Sequence, residues 1–251
     1  METLQAKHAV VTGASRGIGL AIARALRAQG ARVTLMARDA RALEATAAEL
    51  GGDTAWQTVD VTDADGVAAA FARAGAVDIL VNNAGQAASA PFGRTDAALW
   101  QRMLDVNLTG AYHCIQAALP GMLDAGWGRV VNVASTAGLT GYRYVAAYCA
   151  AKHGLVGLTR ALALEVANRG VTVNAVCPGF TDTDIVADAV ANIVHKTGRT
   201  ADQARAELAS ANPQGRLVQP DEVAHAVAWL CMPGAAALNG QAIAVAGGEV
   251  M

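Results

Sequence analysis

The sequence is poor in charged and aromatic residues and carries no excess of either charge. Charged residues make up 16% of the 251 residues and aromatic residues 4%, and 19 Lys and Arg against 21 Asp and Glu give a formal net charge of −2. Without a basic excess, no general field attracts a polyanion. We therefore do not expect nucleic acid as a partner.

Closely spaced cysteine pairs are also absent. The four cysteines are Cys114, Cys149, Cys177 and Cys231, and no two of them form a Cys-x-x-Cys pair. This pattern favours reduced thiols in a cytoplasmic protein.

No segment has the features of a signal peptide or a membrane span. The first apolar group, Ala9-Val10-Val11, leads directly into Thr12-Gly13, which is typical of a buried strand. The alanine-rich C-terminal third is interrupted by His225, Pro233 and several glycines. The sequence therefore predicts no association with a membrane.

The remaining composition predicts one α/β domain over residues 1–251. Hydrophobic residues make up 53% of the chain, and α/β folds of this length often form a single unit. Short apolar runs alternate with longer stretches of helical period, which predicts a doubly wound parallel sheet of about seven strands with helices on both faces. The predicted strands are 8–12, 32–37, 55–60, 77–82, 128–135, 171–176 and 241–246, and the predicted helices are 17–29, 40–50, 63–73, 98–124, 146–168 and 220–231.

One region interrupts the alternation of strands and helices. Residues 183–211 predict two short helices where a simple crossover needs one, and Thr200 with Gln203 predicts a capping box at the start of the second. An insertion after a late strand is well placed to cover a ligand. We interpret residues from about 183 to 215 as a small helical lid over a substrate.

A glycine-rich turn follows the first predicted strand. Thr12–Gly19 has the spacing Gly-x-x-x-Gly-x-Gly and opens the first helix. Glycine lets the backbone approach a pyrophosphate, and the free N–H groups of a helix start favour its charge. A methyltransferase or a plain strand-to-helix turn would explain the glycines equally well.

Polar residues also follow the third and fourth predicted strands. Asp60 lies where an adenine would bind, although it could instead cap the helix near residue 63. The segment 82–85 reads Asn-Asn-Ala-Gly, with amides that can bridge the sheet and a glycine that leaves room for a ring, or it is simply a turn.

A tyrosine and a lysine four residues apart form the sharpest pattern. Tyr148 and Lys152 lie on one face of a predicted helix, and Ser135 ends the strand before it. A nearby cation favours the phenolate and lowers the pKa of a tyrosine, which would suit it to proton transfer. Cys149 and His153 share the same spacing and could hold a metal, but no third ligand is evident, so we expect none.

Together these motifs resemble the short-chain dehydrogenase/reductase family over essentially the whole chain. The motifs are Thr12–Gly19, Asp60, 82–85, Asn107, Ser135, Tyr148 with Lys152, and Pro178–Thr183. The resemblance implies a Rossmann-type fold and hydride transfer between a nicotinamide cofactor and a carbonyl or secondary alcohol. A dinucleotide-sensing protein on the same fold is the alternative of another class, and the presence of Tyr148 and Lys152 counts against it.

The resemblance also assigns roles to residues. Tyr148 resembles the general acid or base, and Lys152 the residue that lowers its pKa and holds the nicotinamide ribose. Ser135 resembles the ligand of the substrate oxygen, and Asn107 the asparagine that keeps a kinked helix and a water for proton relay. Cofactor contacts are implied for Gly13, Ser15, Arg16, Gly17, Ile18, Gly19, Arg38, Asp60, Val61, Asn83, Ala84, Gly85, Tyr148, Lys152, Pro178, Gly179, Thr181 and Thr183. The aspartate usual before the final glycine pair is Ala246 here, which leaves a structural contact in doubt.

The second strand bears on the choice of cofactor. Ala37 fills the place where NAD-preferring relatives keep an acid, and Arg38 follows it. Arg38, with help from Arg16, could bind a 2′-phosphate, so we expect NADP(H) to be preferred over NAD(H). A surface ion pair of Arg38 with Asp39 or Glu44 is the alternative.

The assembly and the substrate rest on weaker patterns. The resemblance implies a homotetramer or homodimer, built on 98–124, 146–168 and the last strand. Similarity to 3-oxoacyl-thioester reductases favours a CoA or carrier-protein thioester as substrate, with another ketone, sugar or steroid alcohol as the alternative. The cations that could meet a coenzyme phosphate, or could simply be solvated, are Arg143, Lys196, Arg199 and Arg216.

Overall fold

Seven parallel strands form one sheet in the computed structural model, which describes residues 3–251. The strands are β1 (His8–Thr12), β2 (Arg32–Ala37), β3 (Thr54–Thr58), β4 (Ile79–Asn82), β5 (Gly128–Val133), β6 (Val171–Pro178) and β7 (Ala242–Val245). Their spatial order is β3-β2-β1-β4-β5-β6-β7, and every neighbouring pair is parallel. The predicted seven-stranded, doubly wound parallel sheet is confirmed.

The helices of the described chain alternate with these strands. They are α1 (Gly17–Ala28), α2 (Ala40–Leu50), α3 (Ala64–Ala74), α4 (Ala97–Leu104), α5 (Gly110–Ala125), α6 (Ala146–Val166), α7 (Asp184–Thr197), α8 (Ala201–Ala209) and α9 (Pro220–Cys231). Short 3-10 turns occupy Phe92–Arg94, Thr136–Gly138 and Pro233–Ala235.

Burial explains why most residues of the central strands are apolar. Every residue of β1, β4, β5 and β6 is buried. Val11 packs in a cluster with Leu26 of α1 and Val227 of α9. Val10 faces the other way, toward Phe71 of α3 and Met122 of α5. Neighbouring residues of one strand thus pack against different helices, as in a sheet covered on both faces.

The helix predicted over 98–124 runs without interruption over 97–125 but contains one irregular turn. Between α4 and α5 the backbone forms a π-helical turn, Asp105–Thr109. Asn107 lies in this turn, and its side-chain amide donates to the carbonyl of Met103 at 3.0 Å. An extra residue in a helical turn leaves no mark in hydrophobic periodicity, and such turns often occur at functional sites.

Two predicted strands end earlier than expected. The third ends at Thr58 rather than 60, because the Asp60 carboxylate accepts bonds from Thr62 and forms a turn. The fifth ends at Val133, so Ser135 lies in the loop beyond it. The predicted capping box of Thr200 and Gln203 is confirmed at the start of α8.

Candidate active site

The carboxyl ends of β1, β4, β5 and β6 meet at one edge of the sheet. In a doubly wound sheet, ligands bind in the crevice at this edge. The loops that leave these four strands contain most of the residues to which the sequence assigns a site role.

The glycine-rich turn after β1 has a backbone that only glycine fits. Gly13 and Gly17 have positive φ values of 63° and 55°. A Cβ on Gly19 would lie 2.3 Å from the carbonyl oxygen of Gly13. No side chain of the described residues caps α1, so the first N–H groups of this helix are left for an anion.

A hydroxyl and an amide tie this turn to the loop after β4. The Thr12 hydroxyl accepts bonds from the backbone N–H groups of Asn83 and Ala84, each at 3.0 Å. In return, the Asn83 side-chain amide donates to the carbonyls of Thr12 at 3.0 Å and Gly13 at 3.1 Å. Asn83 therefore shapes the floor of the crevice through its side chain.

Tyr148 and Lys152 lie together on α6, at the end of β5. Lys152 is buried, its ammonium donates to the carbonyl of Val133 at 2.9 Å, and its Nζ lies 5.6 Å from the centre of the Tyr148 ring. Burial lowers the pKa of Lys152 to about 8. One bond to Val133 leaves two ammonium hydrogens for other acceptors.

The tyrosine pKa shifts in the direction opposite to the expectation from the sequence. Burial raises the pKa of Tyr148 to about 12, against a smaller lowering by its hydrogen bond with Ser135. Desolvation of the phenolate thus outweighs the stabilisation that Ser135 gives it. The Ser135 oxygen also accepts the N–H of Ala137 at 3.1 Å, which fixes the hydroxyl next to the phenol.

Asn107 reaches the same group of residues from the π-helical turn. Its Oδ1 accepts the N–H of Gln86 at 3.2 Å, and its Nδ2 donates to the carbonyl of Gln86 at 2.9 Å. A Cβ on Gly85 would lie 2.9 Å from the Asn107 oxygen and 3.6 Å from Lys152 Nζ. The absence of a side chain at Gly85 keeps the space between these two groups open.

Asp60, Val61 and Arg38 lie at the opposite end of the crevice. Asp60 does not cap a helix, because α3 begins after Asp63. Its carboxylate accepts bonds from the N–H and the hydroxyl of Thr62. The bond from the Thr62 N–H contributes most to lowering the pKa of Asp60. Arg38 is exposed and forms no ion pair within residues 3–251; Asp39 instead caps α2.

The loop after β6 crosses the crevice to the glycine-rich turn. Pro178 ends β6, the Thr181 hydroxyl donates to the carbonyl of Gly179 at 3.0 Å, and that of Thr183 donates to the carbonyl of Thr181 at 3.2 Å. A Cβ on Gly17 would lie 3.3 Å from the Thr183 methyl group. The loop after β6 and the glycine-rich turn therefore lie side by side at one end of the crevice.

Ser15, Arg16 and Ile18, the other residues of the turn, make separate contacts. The Ser15 carbonyl accepts the hydroxyl of Thr46, and Ile18 packs on the core. Arg16 forms an ion pair with Asp184, the first residue of α7, at 2.9 Å. Arg16 must therefore leave Asp184 to reach a phosphate.

Two of the four cations considered for a coenzyme are already neutralised. Arg216 makes two bonds to Glu222, at 2.7 and 2.6 Å, and Arg199 pairs with Glu207. Within residues 3–251, neither Arg143 nor Lys196 forms an ion pair, and both are exposed.

Residues 3–251 contain no group of three His, Cys, Asp or Glu side chains that could hold a metal. The His153 ring donates to the carbonyl of Cys149 within α6, at 2.9 Å. No described helix is long and apolar enough to cross a membrane.

Tyr142 and Glu249 also lie at this edge, and the sequence analysis missed them. The Tyr142 hydroxyl donates to a Glu249 carboxylate oxygen at 2.5 Å. No local pattern could have paired them, because 107 positions separate the two residues.

Comparisons with known proteins agree with this geometry. A family profile for short chain dehydrogenases matches residues 7–193. The 3-oxoacyl-(acyl-carrier-protein) reductase of Vibrio harveyi is 40% identical over 252 residues, which cover 99% of both chains. The D-beta-hydroxybutyrate dehydrogenase of Cupriavidus necator is 40% identical over 255 residues, covering 98% of this chain and 99% of the relative. A variant of the actinorhodin polyketide ketoreductase, solved with NADPH, superposes with a TM-score of 0.94 at 41% identity and covers 99% of each chain.

Proposed function

Because the chain belongs to the short-chain dehydrogenase/reductase family, and is thus an NAD(P)-dependent oxidoreductase, we propose that it reduces the 3-oxo group of an acyl thioester or catalyses the reverse oxidation. The placement of Tyr148, Ser135 and Lys152 around one point of the crevice carries this proposal. The thioester class is supported by the activity for which the Vibrio harveyi relative is named and by the likeness to the polyketide ketoreductase.

The crevice fits a dinucleotide. Gly13 and Gly19 pack directly on the backbone of Ala84 and of Gly13, where added Cβ atoms would collide, so the glycine-rich turn keeps a tight shape in front of α1. The uncapped start of α1 suits a pyrophosphate. We place the cofactor against Gly13–Gly19, Asp60 with Val61, Asn83–Gly85 and Pro178–Thr183, where the nicotinamide would give or take the hydride.

The residues of this chain hold the substrate oxygen and move its proton. With a pKa near 12, Tyr148 is protonated at neutral pH and is in the form that donates to a developing alkoxide. The Ser135 side chain lies close enough to that phenol to lower its pKa, so it is positioned to hold the same oxygen. Val133 aims the Lys152 ammonium, whose free hydrogens face the place of the nicotinamide ribose, and Asn107 lies next to it across Gly85.

We propose NADP(H) as the preferred cofactor, in line with the NADPH in the solved ketoreductase. Arg38 is exposed, follows β2 and forms no ion pair within residues 3–251, although it interacts electrostatically with nearby Asp60; its guanidinium can therefore bind a 2′-phosphate. Arg38→Asp should lower the ratio of kcat/KM for NADPH to that for NADH by about tenfold or more. Arg41→Asp, on exposed α2, is the matched control, and an unchanged ratio in Arg38→Asp would refute the assignment.

A direct assay tests the proposed activity. Acetoacetyl-CoA and acetoacetyl-N-acetylcysteamine, tested with NADPH and NADH by absorbance at the nicotinamide band, should both be reduced. A panel of sugars, steroid ketones and simple ketones runs alongside. Turnover of a panel ketone with no turnover of either thioester would overturn the thioester class while leaving the oxidoreductase intact.

Coenzyme recognition is a separable part of the proposal. Arg143 and Lys196 are the two cations left to meet a phosphate. If these cations contribute to recognition of the coenzyme, acetoacetyl-CoA should show a higher kcat/KM than the N-acetylcysteamine thioester. Arg143→Ala should then bring the two kcat/KM values closer together. Equal values for the two thioesters would remove the cations from recognition.

We also propose that the chain works in the cytoplasm as a homotetramer or homodimer, with residues 183–215 as its substrate lid. Tyr112 on α5 and Leu164 on α6 expose 47% and 81% of their surface, an unusual use of large apolar residues. Light scattering at micromolar concentration should show an assembly; a monomer would contradict it.

A further inference from the structure

The carboxylate of Glu249, in the C-terminal segment, lies against the loop after β6 at the edge of the crevice. One oxygen of Glu249 accepts the bond from the Tyr142 hydroxyl. The other oxygen, Oε2, is buried and has no hydrogen-bond partner in the described chain. A buried carboxylate oxygen without a donor is costly, so its retention calls for a reason.

The surroundings of Glu249 place it between two loops that line the crevice. A Cβ on Gly179 would lie 2.6 Å from Oε2. The Tyr142 ring meets that of Phe180 edge-on, with centres 6.2 Å apart. The side chain of Thr136, which follows Ser135 in the chain, lies close enough to the Tyr142 hydroxyl to act on its pKa. Glu249 therefore lies between the Ser135 loop and the loop after β6.

The negative charge of Glu249 has no positive partner. It forms no ion pair within residues 3–251. Burial and the bond to Glu249 raise the pKa of Tyr142, so that phenol remains a neutral donor. An unpaired charge in a partly buried site repels a second charge of the same sign more strongly than it would in water.

Resting on the proposed function, we propose that Glu249 is a specificity-determining residue. It rejects substrates that carry a free carboxylate in the place of the ester or thioester group. The site then accepts neutral 3-oxoacyl esters and thioesters and excludes 3-oxo acids. This would separate the chain from relatives of similar identity whose named substrate is an acid, such as the D-beta-hydroxybutyrate dehydrogenase.

The test compares two substrates that differ in charge at one position. Methyl acetoacetate is neutral and acetoacetate is an anion, and both are assayed with NADPH on the full chain. Wild type should favour the ester, and Glu249→Gln should lower the ester-to-acid ratio of kcat/KM by about tenfold or more. An unchanged ratio in a folded Glu249→Gln variant would overturn the proposal.

Two further variants separate charge from structure. Tyr142→Phe removes the hydrogen bond but keeps the carboxylate, and it should retain the wild-type ratio. Asp124→Asn removes one exposed negative charge at the end of α5, at the opposite edge of the sheet, and should also retain it. A ratio that falls equally in Tyr142→Phe would show that packing, rather than charge, sets the preference and would overturn the proposal.

Equilibrium binding keeps the test independent of turnover and of variant folding. Acetoacetate and the neutral acetoacetamide are titrated into the wild-type protein with NADP⁺, which cannot reduce either compound, and isothermal titration calorimetry reports binding. The amide should bind at least about tenfold more tightly; equal affinities would overturn the role of Glu249. Reduction of neither ester nor thioester would instead count against the proposed function alone.

Discussion

The hydroxyl of Thr12 is the most informative single group to remove. Thr12 is buried, with 1% of its surface exposed, and its oxygen accepts both the Asn83 and the Ala84 N–H groups. Thr12→Val keeps the shape of the side chain and the branch at Cβ. The substitution therefore changes hydrogen bonding with almost no change in packing.

The magnitude follows from the two N–H groups left without an acceptor. A buried donor that loses its partner costs about 1–3 kcal/mol. Asn83 and Ala84 are only partly buried, so water can replace some of the lost bonding and the low end of the range applies. We expect Thr12→Val to lower the free energy of unfolding by about 2 kcal/mol. We also expect a lower kcat/KM, because the loop that Thr12 holds contains Gly85, which lies next to the Lys152 ammonium.

Urea denaturation, followed by circular dichroism, measures this change. Thr172→Val is the matched control, because the Thr172 hydroxyl is buried and has no hydrogen-bond partner among the described residues. That control should be neutral or slightly stabilising. A loss below about 0.5 kcal/mol in Thr12→Val, or an equal loss in Thr172→Val, would refute the reasoning.

Two more perturbations test the site and the core. Tyr148→Phe should lower kcat by about 10²–10⁴, as expected for a lost general acid, with an unchanged circular dichroism spectrum; full activity would end its assignment as proton donor. Burial lowers the pKa of His8, whose ring donates to the Ala76 carbonyl and accepts from Thr34. The unfolded chain therefore takes up a proton near pH 6.5 while the folded chain does not, and stability should fall below this pH by up to about 1.4 kcal/mol per unit until the folded pKa is reached. Unfolding curves of wild type and His8→Asn at pH 7.5 and 5.5 check this, and an equal loss in both proteins would contradict it.

Much of the fold could be predicted because it depends on local patterns. The strands at 8–12 and 32–37 have the observed limits, and the capping box of Thr200 forms as expected. The π-helical turn at Asp105–Thr109 could not be predicted from hydrophobic periodicity, since α4 and α5 on either side of it are each regular. Spacing indicated that Tyr148 and Lys152 share a helix face, but not how deeply the phenol is desolvated.

Contacts between distant parts of the chain account for the rest. The pairing of Tyr142 with Glu249 depends on how the C-terminal segment folds back onto the loop after β6. The Arg216 charge looked available in the sequence, yet Glu222 at the start of α9 binds it through both oxygens. The sequence contains several acidic residues that could pair with a surface cation, and only the tertiary structure shows which of them lies close enough.

The position of β1 in the sheet has a consequence for synthesis of the chain. β1 is flanked by β2, which follows it closely, and by β4, which ends only at Asn82. At about 5–20 residues per second on a ribosome, the second neighbour arrives a few seconds after the first. During that interval the β1 edge, with the buried sequence His-Ala-Val-Val-Thr, is open to pairing with another nascent chain. Slowing elongation between residues 37 and 82 should therefore increase aggregation of the newly made protein, and a chaperone that covers this edge should reverse the effect.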